Sequence, residues 1–94
     1  MKEKYIHKKI LDYINSLDRA FAWKEFGGMY SAAGRLDITC CYDGRFYAFE
    51  VKVPGNKATA LQLSVIKKIR AASGVAEVVY SVEDVKKILE RRES

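Results

Sequence analysis

The chain has 94 residues, of which 49% are hydrophobic and 31% charged, and 17 basic against 12 acidic side chains give it a formal net charge of +5. That length holds one domain, residues 1–94, with no room for a second core, and it buries roughly 60–65% of the surface that the unfolded chain exposes. The composition excludes wholesale disorder, no apolar run approaches the ~20 residues of a membrane span, and the lysine-rich start is not followed by a signal-peptide core. The sequence therefore reads as soluble, intracellular and without a membrane partner, and its positive balance favours a polyanion.

Residues 3–18 predict an amphipathic helix, because Ile6, Ile10, Tyr13, Ile14 and Leu17 recur at three- and four-residue steps. Glu3 falls on the inward edge of that face. It either complements the helix dipole as a first-turn acid or leans toward a site beneath the helix. His7, the single histidine, is one turn after Glu3 and could lie near it, as a catalytic or metal residue would, but a lone histidine reads more readily as a surface or boundary residue. Residues 20–26, AFAWKEF, have the aromatic, alternating character of an edge strand, which Gly27-Gly28 breaks. Residues 29–36 are small and glycine-containing, as in a loop, and Gly34 allows a sharp turn into the next strand.

Residues 37–53, DITCCYDGRFYAFEVKV, predict two strands joined at Tyr42-Asp43-Gly44-Arg45. Alternation puts Ile38, Cys40 and Tyr42 on one face of the first strand, with Asp37, Thr39 and Cys41 on the other. In the second, Phe46, Ala48, Glu50 and Lys52 oppose Tyr47, Phe49, Val51 and Val53. Both faces are largely apolar, as in a central strand covered on both sides. Cys40 and Cys41 point to opposite faces, so they are poor disulfide partners and read as small apolar filler in a reducing compartment. Glu50 and Lys52 must project together, and the hairpin can bring Asp37 alongside. Two converging carboxylates suit a hard divalent cation, and a lysine beside them can stabilise an anionic transition state. The plainer alternative is a Glu50–Lys52 salt bridge at the strand end.

Pro54-Gly55-Asn56 ends the strand. A helix follows with Leu61, Val65, Ile69 and Ala72 along one face and Gly74 as its stop. Thr59 and Gln62 fit a T-x-x-Q capping box. Lys67, Lys68 and Arg70 lie on the outer face. Residues 75–81 read as a strand, and a last helix starts at Ser81 or Glu83 and runs to about Leu89. The order helix, strand, hairpin, helix, strand, helix predicts an α/β fold with a mixed central sheet flanked by helices, α-β-β-β-α-β-α.

An acid on the first helix, Asp37 at a strand start, Glu50-Val51-Lys52 on the next strand and a helix bearing Gln62 together resemble the PD-(D/E)XK nuclease superfamily. Within it, Gly34-Arg35-Leu36-Asp37 followed by FEVKVPGNKATALQ (49–62) is similar to the VRR-NUC, or virus-type replication-repair nuclease, domain of the small stand-alone type. The resemblance implies a restriction-endonuclease-like core and a Mg²⁺- or Mn²⁺-dependent endodeoxyribonuclease. It further implies action on branched DNA in the manner of a Holliday-junction resolvase, in a homodimer, in the cytoplasm of a bacterium or of a phage's host. Asp37 and Glu50 would ligate the metal with the Val51 carbonyl, Lys52 would act on water and phosphate, and Gln62 and Glu3 would complete the catalytic set. Leu36 departs from the proline that the superfamily nominally places before the acid. Arg35, Lys57, Lys67 and Lys68 are the candidate phosphate contacts, and the apolar edge around Phe21, Trp23 and Phe26 is the candidate dimer interface. A non-catalytic nucleic-acid-binding module of the same fold is the alternative.

Overall fold

A two-residue turn sets the centre of the sheet. Asp43 (φ 52°) and Gly44 (φ 84°) both take positive φ, the requirement of a type I′ hairpin loop, and Asp-Gly is a favoured pair for it. The turn locks Tyr42 opposite Arg45 and fixes the register of the two strands through Ile38 and Phe49. The structure is a computed structural model that describes residues 2–25 and 35–91. The predicted Gly27-Gly28 break, most of the loop at 29–36, Gly34 and Phe26 lie outside the described residues.

The elements are α1 (Glu3–Asn15), β1 (Ala20–Lys24), β2 (Ile38–Tyr42), β3 (Arg45–Val51), α2 (Ala60–Ala71), β4 (Val75–Val79) and α3 (Val82–Glu90). This is the α-β-β-β-α-β-α order expected from the sequence. The four strands form one sheet in the order β1-β2-β3-β4. The first two pairings are antiparallel, and β3 pairs with β4 in parallel across the α2 crossover. The sheet is therefore mixed, with β3 in its interior. None of the helices among the described residues is long and apolar enough to cross a membrane.

Alternation along β3 separates two cores. Tyr47, Phe49 and Val51 pack with Ile6, Ile10 and Ile14 of α1, Ile38 and Cys40 of β2, and Val85, Ile88 and Leu89 of α3. Ala48 faces the other way, into a smaller cluster with Leu36, Ile66 and Ala76. Full burial of a side chain such as Phe49 contributes roughly 1.5–3 kcal/mol. At the outer edge, Asn15 donates from Nδ2 to the Ala22 carbonyl (3.1 Å) and accepts the Ala22 N–H at Oδ1 (2.8 Å). One side chain thus satisfies both backbone groups of an edge-strand residue, which blunts that edge against pairing.

Three expectations are corrected. In α2 the inward residues are Ile66, Val65 and Ile69, whereas Leu61 and Ala72 of the predicted stripe are exposed. Gln62 bonds Glu50 on the sheet (2.9 Å), and Leu61, one position before it, faces outward. The end of the helix is also built differently. The left-handed position is Ser73 (φ 71°), while Gly74 is needed for room, since a Cβ there would lie 2.8 Å from Ile69 Cγ2. Cys40 is buried but Cys41 is exposed, so only the first fills the core. Burial pushes the Cys40 thiol up to about 12, which leaves it inert as a nucleophile.

The capping box at α2 is complete. Thr59 Oγ1 accepts the Gln62 N–H (3.1 Å) and Gln62 Oε1 accepts the Thr59 N–H (2.9 Å). Thr59→Ala is expected to cost about 1 kcal/mol, a fall in Tm of about 4–8 °C for a domain this small, readable by thermal melting followed by circular dichroism.

Candidate active site

Asp37 immediately precedes β2, and its Oδ2 accepts the Val51 N–H at 2.9 Å. The carboxylate is thereby held across the C-terminal end of β3, where Lys52 N–H passes to the Val79 carbonyl (3.0 Å) and the parallel ladder ends. Leu36 beside it is 3% exposed and packs with Ala48 and Ile66. An apolar side chain thus anchors the approach to the strand.

Glu50 is 2% exposed. Its Oε2 accepts from Gln62 Nε2 at 2.9 Å and lies 3.4 Å from Lys52 Nζ. Its Oε1 is buried without a hydrogen-bond partner. Burial, and then the charge of Asp37, push the Glu50 carboxyl up to about 7, against the opposing pull of Lys52. The ion pair exists, but it does not compensate the buried charge. The site keeps one carboxylate oxygen bare and sets a second carboxylate against it.

Gln62 serves both of the roles that the sequence left as alternatives. Its Oε1 completes the helix cap while its Nε2 reaches Glu50. The cap fixes the amide orientation, and the amide fixes the Glu50 oxygen. Gln62→Leu keeps helix propensity but removes both bonds.

Glu3 and His7 come to Asp37 from α1. One ligand atom from each of the three lies within 4.8 Å of the others, and His7 Nε2 is 3.4 Å from Asp37 Oδ2. Against its reading as a surface or boundary residue, His7 is 8% exposed, with neither ring nitrogen hydrogen-bonded. The signal in the sequence was its place four residues after Glu3 and three before Ile10, squarely in the apolar stripe. Its partner is distant along the chain and near only in the fold.

The remaining candidates stay at the surface. Arg35 is exposed with Nη1 3.7 Å from Glu25 Oε1, and Lys57, Lys67 and Lys68 are exposed before and along α2. Glu25, which the sequence reading passed over, organises the flank next to Arg35. Its Oε2 accepts from Trp23 Nε1 and from Thr39 Oγ1, each at 2.9 Å.

The donor set fits a hard divalent cation. Leaving a buried polar atom unsatisfied costs about 1–3 kcal/mol, and among the described residues the buried orphans are Glu50 Oε1 and the two His7 nitrogens. The His7 nitrogens lie beside Asp37 in the Glu3-His7-Asp37 group, and Glu50, outside that group, feels the charge of the same Asp37. A cation between carboxylates satisfies bare oxygens and removes their mutual repulsion.

No family model matches the sequence, and no curated protein matches it. Among solved structures, one described as a VRR_NUC domain matches with a TM-score of 0.79 at 22% identity, over 97% of this chain and 97% of its own. The agreement spans both partners nearly end to end, and the chain has the fold of a VRR_NUC domain.

Proposed function

We propose that this protein is a metal-dependent endonuclease that hydrolyses phosphodiester bonds in branched DNA, with four-way junctions as its substrate class. The observation that carries the reading is the buried Glu50, with one bare oxygen, set beside Asp37 and 3.4 Å from Lys52 at the end of the central strand. An uncompensated charge in that position costs stability, and it is explained by a ligand that the fold is built to receive.

Asp37, Glu50 and the Val51 carbonyl would hold Mg²⁺ or Mn²⁺, which supplies Lewis-acid neutralisation of the phosphate and lowers the pKa of water. Asp37 is kept in place by the Val51 N–H and Glu50 by the Gln62 amide. Lys52 presents its ammonium to a non-bridging phosphate oxygen, where negative charge grows during attack, and orients the incoming water. Glu3 completes the acidic wall from α1. Arg35, Lys57, Lys67 and Lys68 bind the phosphate backbone, so recognition goes by the shape of the DNA more than by base sequence. Two copies joined through the apolar face of Phe21 and Trp23, which are 64% and 40% exposed, place two sites for paired nicks. The place of action in this reading is the cytoplasm.

The test is incubation of end-labelled four-way junction, flap, linear duplex and single strand with the protein in Mg²⁺, Mn²⁺ or EDTA, alongside Asp37→Ala. Junction cleavage that needs metal and is lost in Asp37→Ala is the expected result. Salt-sensitive junction binding with no product in any metal identifies a binding module instead, and equal cutting by Asp37→Ala removes the assigned site.

A further inference from the structure

His7 has no part in the proposed hydrolysis, yet among the described residues it is the one buried side chain with two unpartnered nitrogens. Its side chain is 10% exposed, lies within 3.4 Å of a carboxylate oxygen, and makes no hydrogen bond through either nitrogen. A buried histidine retained for packing finds a partner for at least one ring nitrogen. This one instead sits one helical turn from Glu3, so both side chains leave α1 on the same face. That face meets Asp37, which is already fixed in direction by the Val51 N–H. Three potential ligand atoms, two carboxylate oxygens and one imidazole nitrogen, then lie within 4.8 Å of one another. The spacing suits one ion in their midst. Alkaline-earth ions prefer all-oxygen sites, whereas a nitrogen donor favours first-row transition ions.

We propose that His7, with Glu3 and Asp37, forms a nitrogen-containing divalent-metal position that makes this protein select a transition ion such as Mn²⁺ over Mg²⁺. The inference rests on the reading of Asp37 as a metal ligand and adds a direct nitrogen donor to it. Asp37 joins the position to the one that Glu50 and the Val51 carbonyl complete. His7 is a ligand here and not an acid or base.

Because the chain has a single histidine, the test can be made on the wild-type fold. Untagged protein labelled with ¹⁵N-histidine is loaded with Mn²⁺ and examined by pulsed electron paramagnetic resonance. Coupling of the Mn²⁺ electron spin to histidine ¹⁵N is the expected result. His7→Asn is expected to weaken Mn²⁺ binding in calorimetry on the order of tenfold or more, a loss that even indirect partners of metal ligands can cause, while Mg²⁺ binding changes little. Mn²⁺ bound without ¹⁵N coupling overturns the role of His7 and leaves the metal-dependent nuclease standing. Failure of both Mn²⁺ and Mg²⁺ to bind overturns both.

Discussion

Replacing Lys52 by Ala is expected to reduce the rate of junction cleavage on the order of 10²–10³-fold, the loss typical of removing one preorganised donor aimed at developing charge. Lys52 is largely buried, with its side chain 15% exposed, and its Nζ is within 3.4 Å of Glu50. Water does not replace an ammonium there at equal strength, because the site is desolvated on one side. The effect belongs to the chemical step, so single-turnover cleavage at saturating protein reports it, while junction affinity changes little. A drop in affinity with an unchanged single-turnover rate would make Lys52 a backbone contact instead. Without Lys52 the Glu50 carboxyl also loses the group that holds its pKa down, so the variant's metal binding shifts to higher pH.

Glu50→Gln is expected to abolish cleavage yet make the metal-free protein more stable at pH 8. The folded protein holds the Glu50 proton up to about 7, while the ordinary value is 4.5. Between those pH values the native state binds more protons than the unfolded chain, so stability falls as pH rises through the window. The penalty is absent below about pH 4.5 and complete above about pH 7. At 1.36 kcal/mol per pH unit the full gap is about 3 kcal/mol. That value already includes the opposing pull of Lys52, so the gain at pH 8 is on the order of 2–3 kcal/mol, or a Tm rise on the order of 10 °C or more, shrinking to nothing near pH 4.5. Gln keeps an oxygen to accept from Gln62. A variant that melts lower than the wild type at pH 8 would mean that Glu50 and Lys52 are a stabilising ion pair, and the site would lose its main physical argument.

Much of this architecture is legible in the residues alone. The hairpin was legible because Asp-Gly at 43–44 and strict alternation from 37 to 53 leave one register. The interior position of β3 followed from apolar residues on both of its faces. The pairing of Glu50 with Lys52 followed from period two alone. What was not legible depends on rotation and on distance through space. Leu61 and Ile66 are equally apolar, and it is the packing of Ile66 on Leu36, Ala48 and Ala76, with Gln62 held to Glu50, that turns Ile66 inward. Gln62 read as a cap or a site residue, and an amide with two ends is both. His7 read as peripheral because its neighbour Asp37 lies 30 positions away along the chain. Its place in the Glu3-Ile6-Ile10 stripe was the available clue. Ser73 takes a left-handed conformation that composition would assign to Gly74, since the crowding at Ile69 appears only once the strand after α2 is in place.

Everything proposed here depends on the carboxylate cluster being a metal position, and calorimetric titration of Mn²⁺ into the wild type and Asp37→Asn at pH 7.5 measures that directly. The wild type is expected to bind with release of a fraction of a proton at pH 7.5, growing toward a full proton as the pH is lowered below 7, because Glu50 with its pKa of about 7 must ionise to ligate. Asp37→Asn is expected to bind far more weakly or not at all. The absence of any binding heat in the folded wild type, in buffers of different ionisation enthalpy, would contradict the account.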